Sequence, residues 1–429
     1  MKRLRNVLGG GLVLLALAGL VVGTLVLLHT RERPTTAVAG PRPTPPEIPA
    51  PPTTLPAQGV LAALPPVEAG RLIQPPTVHS SKILYLTYEM SEKGGSHYHI
   101  LDPQTGEETH LEFPPDQYSG SLELTMRASP TGERILYSVF FDFFNLEVNP
   151  AAKEIGSVWI MNPDGSDRQR LVGSDELSFP ANAIWSPDGK EIAFLRLPDA
   201  RAVETGTASA EHTEVWVMNA DGSKQRKVAD LPYAIDHIFG ANPSMQWLLD
   251  DHIYIATGIV VEGDWLRINP RTGEVTRLME NVYPSGVQIS PDTRWIIGKD
   301  AIVAALGRQP LHLPSGTAWD PTGARAAFVQ FPPPYGDGSL EPGIWVRNLQ
   351  NGGQIRLTAL DPETASRCTR LSWSPDGRML LCEDIEGLYV IWIDRDESQM
   401  VVRNPLAQED VVGIKFIGWL PVTTTQSRP

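Results

Sequence analysis

Beyond residue 78 the apolar positions fall into short runs, not into a helical stripe. Ala183-Ile184-Trp185, Ile192-Ala193-Phe194-Leu195, Val215-Trp216-Val217-Met218 and residues 225–228 follow one another, with polar residues between them. The runs are rich in β-branched and aromatic side chains, which suit a pleated, half-buried surface. The joints are equally specific. Ser186-Pro187-Asp188-Gly189 places a proline that presets φ, an aspartate that bonds its own backbone and a glycine that accepts positive φ. Asn219-Ala220-Asp221-Gly222 repeats that chemistry at a later joint. The stretch predicts a four-stranded antiparallel unit.

The unit recurs. Its turn phrase returns at Trp373-Ser374-Pro375-Asp376-Gly377, Ser129-Pro130-Thr131-Gly132, Ser290-Pro291-Asp292-Thr293 and Asp320-Pro321-Thr322-Gly323. The long interval between 186 and 290 hides a degenerate copy at Gln246-Trp247-Leu248-Leu249-Asp250-Asp251, and residues 290–313 form a stunted one. The opening unit has runs at 83–86, 98–101 and 108–111 but lacks a first strand; residues 413–419 near the other end supply one. A strand borrowed across the termini closes a ring and removes exposed sheet edges. Repeats of about 50 residues with such closure predict an all-β fold, a seven-bladed β-propeller over residues 78–421. Six blades is the alternative if the stunted copy is not a blade. Residues 422–429 are expected to be a disordered tail.

Trp185 to Gly189 and Val215 to Gly222 resemble the TolB-type propeller repeat, a bacterial envelope relative of the WD40 class. The resemblance covers roughly residues 78–421, closely at two copies and loosely at the others. It implies a TolB-like propeller in the cell envelope. That family carries a cleaved signal and an α/β domain ahead of the propeller. Here a different segment occupies that position, so the family's partners do not carry over.

Residues 1–6 are basic and short, and residues 7–28 are uncharged and dominated by Leu, Val, Ala and Gly. A helix of that length crosses a ~30 Å hydrocarbon layer. A cleaved signal peptide is the competing reading, but Leu27-Leu28-His29 is a poor cleavage site. The expectation is a single-pass signal-anchor, with the rest of the chain extracytoplasmic. Residues 29–77 follow as a linker in which Pro41, Pro43, Pro45, Pro46, Pro49, Pro51 and Pro52 cluster. Such a segment cannot pack and extends as polyproline II.

Charge narrows the partners. Net charge is −14, and removing the first 33 residues leaves 31 Lys/Arg against 49 Asp/Glu. An acidic body argues against nucleic acid as a partner. The membrane contact is expected through the N-terminal helix alone.

Candidate chemistry is sparse. Nucleophile-elbow, zincin, phosphate-loop and cysteine zinc patterns are missing from the sequence, and no metal or other cofactor is expected. Asp188 and Asp376 read as turn residues, and Trp185, Trp319 and Trp373 as packing between blades. His97 and His99 point to one face of a strand, and His110 lies close to opposite His99. Three imidazoles there could hold a transition metal, but they fall on outer strands far from a central pocket with no charged partner, and exposed surface histidines are the leading reading. Cys368 and Cys382 flank the Trp373 turn, nearly opposite in a hairpin; a disulfide and two buried thiols are both open.

Long connections between second and third strands must leave one face. They hold Phe141, Asp142, Phe143, Phe144 and Tyr335, the expected partner contacts, although the phenylalanines also fit a buried strand extension. The leading expectation is a membrane-tethered scaffold that binds an envelope protein. An envelope hydrolase or lyase acting on a sugar or peptide at the tunnel mouth is the alternative; carboxylates, His and Arg converging on the tunnel would mark it. A spacer without any ligand is a third reading.

Overall fold

The computed structural model describes residues 72–89, 96–113, 124–139, 157–173, 178–198, 213–231, 245–257, 263–282, 288–297, 302–304, 317–331, 340–404 and 411–423. The chain divides into two compact units, Met1–Ala57 and Gln58–Pro429, the first wholly outside the described residues. The span expected over 7–28 and most of the linker lie there too. No helix among the described residues is long and apolar enough to cross a membrane.

The described chain is almost all strand. β1 (Ser80–Glu89), β2 (Ser96–Leu101) and β3 (Glu108–Leu111) come first. β4 (Leu124–Ala128), β5 (Ile135–Val139), β6 (Ser157–Met161) and β7 (Gln169–Val172) make the next sheet. β8 (Ser178–Trp185), β9 (Glu191–Pro198), β10 (Thr213–Asn219) and β11 (Arg226–Leu231) make another. β12 (Met245–Trp247), β13 (Ile253–Ala256), β14 (Gly263–Ile268) and β15 (Val275–Val282) repeat the pattern at the degenerate copy. The stunted copy is a three-stranded sheet of β16 (Gln288–Ile289), β17 (Trp295–Ile297) and β18 (Ile302–Ala304). β19 (Ala318–Trp319), β20 (Arg325–Gln330), β21 (Gly343–Asn348) and β22 (Gln354–Leu357) follow. After one short helix, α1 (Pro362–Ser366), come β23 (Arg370–Trp373), β24 (Met379–Asp384), β25 (Gly387–Trp392) and β26 (Glu397–Arg403). β27 (Val411–Val422) ends the series.

β27 does not extend the last sheet. It pairs antiparallel with β1, with Ile83 opposite Trp419, Tyr85 opposite Phe416 and Thr87 opposite Ile414, giving the sheet order β27-β1-β2-β3. The two ends of the described chain are thus held in one sheet, and β1 has no open edge.

Each sheet touches the next in chain order. The apolar side chains of β1–β2 pack with those of β4–β5 around Leu84, Tyr98, Met126 and Tyr137. Trp185 Nε1 donates to the Arg127 carbonyl at 3.1 Å, and Arg226 Nη1 to the Pro270 carbonyl at 2.6 Å. Leu249 N–H reaches the Pro291 carbonyl at 3.2 Å, and Trp295 packs on Ala326 and Phe328. Trp373 Nε1 donates to the Ala318 carbonyl at 3.1 Å. Arg370 Nη1 donates to the Phe416 carbonyl at 2.9 Å and Trp419 Nε1 to Ser372 Oγ at 3.2 Å, so the last sheet meets the first. A closed ring of separate antiparallel sheets packed against one another is a β-propeller. Trp185, Trp373 and Trp419 each sit on a first strand and stitch it to the first strand before it.

The turn phrase has a fixed internal wiring. Ser186 Oγ donates to Asp188 Oδ1 at 2.8 Å and accepts the Glu191 N–H at 2.9 Å. Ser290 does the same with Asp292 at 2.7 Å and Trp295 N–H at 3.0 Å, and Ser374 with Asp376 and Met379. The serine is buried and both its capacities are used. At Asp320 a carboxylate replaces the hydroxyl, accepting from Thr322 Oγ1 and the Arg325 N–H, both at 3.1 Å. The glycine position keeps positive φ even where glycine is missing: Asp251 is at 58° and Thr293 at 60°, against 71° at Gly189.

These turns gather on one face. Gly132 abuts Pro421, Gly189 abuts Pro130, Gly323 abuts Asp292 and Gly377 abuts Pro321, each a contact between neighbouring sheets. Alternating strand direction then sends the connections at 140–156, 199–212 and 331–342 from the opposite face.

Gly132 offers a test of the closing seam. A Cβ there would stand 1.6 Å from the Pro421 carbonyl oxygen of β27, whereas one at Gly106 meets nothing, although φ is 75° at both. Gly106→Ala is expected to cost about 1 kcal/mol, the left-handed backbone penalty alone. Gly132→Ala should cost about 3 kcal/mol or more by thermal or urea unfolding, because β27 must also shift.

Candidate functional site

Phe141, Asp142, Phe143, Phe144 and Tyr335, expected from the sequence to meet a partner, lie outside the described residues. The strands that flank them are described. β5 and β6, and β20 and β21, are paired antiparallel in full register, so both connections depart from the same face.

The inner wall of the ring is made by the first strand of each sheet: β4, β8, β12, β16, β19, β23 and β27. These seven strands hold no Asp, Glu or His. They hold three cations, Arg127, Arg370 and Lys415, on the consecutive strands β4, β23 and β27, and all three are solvent-exposed. The protein packed around Arg127 lowers its guanidinium pKa, and the nearby Arg370 lowers it further. Behind the wall, Glu383 on β24 accepts the Phe416 N–H at 3.2 Å. Burial raises its pKa, against that hydrogen bond and the attraction of Arg370 and Lys415. Among the described residues the wall thus carries positive charge, with the Glu383 carboxylate behind it.

Cys368 and Cys382 are disulfide-bonded, with Cα atoms 5.4 Å apart. The hairpin register expected for them is corrected. Cys382 is opposite Leu371, and Cys368 lies ahead of β23, just after α1. Asp361 caps α1 by accepting the Glu363 and Thr364 N–H groups, and the helix carries Cys368 to the sulfur of β24. The bridge ties this connection to the sheet.

Asp188 and Asp376 are used within their turns, each accepting a serine hydroxyl and a backbone N–H. Their degenerate counterpart, Asp250, is a different object. Its carboxylate is buried and accepts Tyr254 OH at 2.8 Å and Arg267 Nη2 at 3.0 Å, with the His252 ring 3.3 Å away. Burial raises its pKa, but His252, Tyr254 and Arg267 outweigh that and leave it below the usual carboxylate value. This group is not legible in the sequence, because Tyr254 and Arg267 arrive from β13 and β14.

The histidines are also corrected. His99 is buried, not on the surface, and it has a charged partner. Antiparallel pairing sets Tyr85, His99 and His110 side by side across β1, β2 and β3. The Tyr85 and His99 rings stack at 4.7 Å, and His99 meets His110 edge-on at 4.6 Å. Glu108 shares their face two residues before His110. Its Oε1 lies 2.8 Å from His99 Nδ1, 3.8 Å from His110 Nε2 and 3.0 Å from Tyr85 OH. Burial lowers the His99 pKa against the pull of Glu108. His97 is exposed one position along the same face and stands outside this group. A recess of about 310 Å³ on the other face of this sheet, lined by Lys82, Thr109, Glu133 and Asp164, follows the seam with β27 and faces away from the histidines.

No family model matches the chain, and no curated protein matches it. Solved propeller structures are similar. TolB from Acinetobacter baumannii is 14% identical with a TM-score of 0.35, over 79% of this chain and 83% of that one. The β-propeller domain of the trilobed protease from Pyrococcus furiosus is 11% identical with a TM-score of 0.45, over 77% and 96%. A putative 6-phosphogluconolactonase from Bacteroides fragilis is 12% identical with a TM-score of 0.41, over 79% and 98%. Likeness at this level accompanies the sheet topology and assigns no function.

Asp250 gives a sharp expectation. Asp250→Asn leaves Arg267 buried without its anion and should destabilise the protein by about 3 kcal/mol. The folded-state pKa is depressed, so the stabilisation is complete above the unfolded carboxylate value near ~4 and lost as pH falls through the folded value. The difference in unfolding midpoint between the wild type and Asp250→Asn should therefore be large at neutral pH and shrink in acid.

Proposed function

We propose that the chain is a membrane-tethered, extracytoplasmic, seven-bladed β-propeller, the three-stranded sheet counting as a blade, that binds an envelope protein. Residues 7–28 are the tether, and the proline-rich linker holds the ring off the bilayer. The observation that carries this reading is the asymmetry of the two faces. Hydrogen-bonded turns crowd one of them, and long connections at 140–156, 199–212 and 331–342 leave the other. Binding residues concentrate on loops that a rigid scaffold positions. Phe141, Phe143, Phe144 and Tyr335 supply aromatic anchors there, with Asp142 among them.

The hydrolase or lyase reading is the weaker one. Such chemistry calls for paired carboxylates or a histidine set around the tunnel. Among the described residues the seven inner strands offer Arg127, Arg370 and Lys415 and no acid. That wall attracts anionic groups, and its described residues include no carboxylate or imidazole to serve them as a general base.

The test is crosslinking and affinity capture from native envelopes, with the full chain and its Phe141→Ser/Phe143→Ser/Phe144→Ser variant. The wild type should retain one dominant protein, and the variant should lose at least about tenfold of it at an unchanged unfolding midpoint. Equal retention by both proteins would reject the assignment of the loop.

A further inference from the structure

We propose that His99, Glu108 and His110 bind a divalent transition-metal ion, of which zinc is the representative, on the first sheet of the ring. The site is distinct from the partner-binding face and from the channel wall. It follows from strand register: His99 and His110 are directly opposed on β2 and β3, and Glu108 projects on the same face two residues away. One donor atom from each of the three lies within 4.8 Å of the other two.

The donor set selects the ion. Two imidazoles and one carboxylate suit zinc and its first-row neighbours; calcium and magnesium require more oxygen ligands than this site holds. Ligands at about 2.1 Å around a tetrahedral centre stand about 3.4 Å apart. The separations of 2.8 Å and 3.8 Å from Glu108 Oε1 bracket that value. His110 makes the remaining adjustment, since its side chain is 69% exposed, against 34% for Glu108 and 10% for His99. Three protein ligands leave a coordination position for water on the open side.

The neighbours are placed as outer partners of a metal site. Thr87 Oγ1 lies 3.1 Å from His99 Nε2, so that nitrogen has a hydrogen-bond partner of its own while Nδ1 faces Glu108. Without a metal, the 2.8 Å contact needs a proton between Nδ1 and Glu108. When an ion binds, that proton leaves this contact, and an imidazole protonated at Nε2 and bonded to Thr87 presents its Nδ1 lone pair to the metal. Tyr85 closes the back of the site, stacked on His99 and donating its hydroxyl to Glu108. Ligand orientation is therefore largely set before an ion arrives.

The experiment is isothermal titration of tag-free, full-length protein in detergent with ZnCl2, after dialysis against a chelator. One equivalent should bind with a Kd of about 1 μM or tighter, and MgCl2 or CaCl2 should give no heat. His110→Ala removes an exposed ligand without touching the core, and it should weaken zinc binding at least about tenfold. Thr87→Val, which withdraws only the outer partner of His99, should weaken it by about tenfold. His79→Ala, an exposed histidine outside the group, should leave it unchanged. Absence of zinc binding, wild-type affinity in His110→Ala or Thr87→Val, or equal weakening by His79→Ala would each overturn the proposal.

Discussion

The architecture depends on the pairing of β27 with β1. Every other described sheet is assembled from consecutive strands and packs on its neighbours in chain order. A linear array of that kind would expose an unpaired strand edge and an apolar flank at each end. β27 removes both at once: it satisfies the free edge of β1 and packs Phe416 and Trp419 against Met379 and Leu381 of the last sheet. Bringing the chain ends together carries a loop-closure cost that grows only slowly with length, so the burial and hydrogen bonds at the seam outweigh it readily. Closure also makes the repeats cooperative, because opening any one junction breaks the ring.

Three of the junctions share one device. A tryptophan near the end of a first strand reaches the first strand of the preceding sheet, as Trp185, Trp373 and Trp419 do. The turns after the first strands β8, β16 and β23 are clasped by a buried serine, and the one after β19 by Asp320. The device tolerates loss of its parts. The degenerate copy gives up the serine and proline, keeps the left-handed residue as Asp251, and compensates with the buried Asp250 cluster.

Much of this was legible in the sequence because a short turn of fixed chemistry marks each sheet locally. The spacing of those turns located the degenerate and three-stranded copies, and the missing first strand pointed to the C-terminal segment. What resisted reading was everything that depends on side chains from two strands. The serine reads as turn punctuation until its bonds to residues two and five positions on are seen. His99 looks like a surface residue because Tyr85, Thr87 and Glu108 reach it only after pairing. Cys368 reads as part of a strand because α1 has too few residues to show a helical period. Arg127, Arg370 and Lys415 are far apart in the chain, and only the ring makes them neighbours.

The acidic chain lines its ring with Arg127, Arg370 and Lys415, and every surface of that ring presupposes a sealed one. The most direct test of that seal is native-state hydrogen exchange followed by mass spectrometry on the full chain. Peptides covering residues 83–87 and 413–419 should exchange together, as slowly as the central strands β9 and β24. Exchange of residues 413–419 orders of magnitude faster than those strands would contradict the closure on which the account rests.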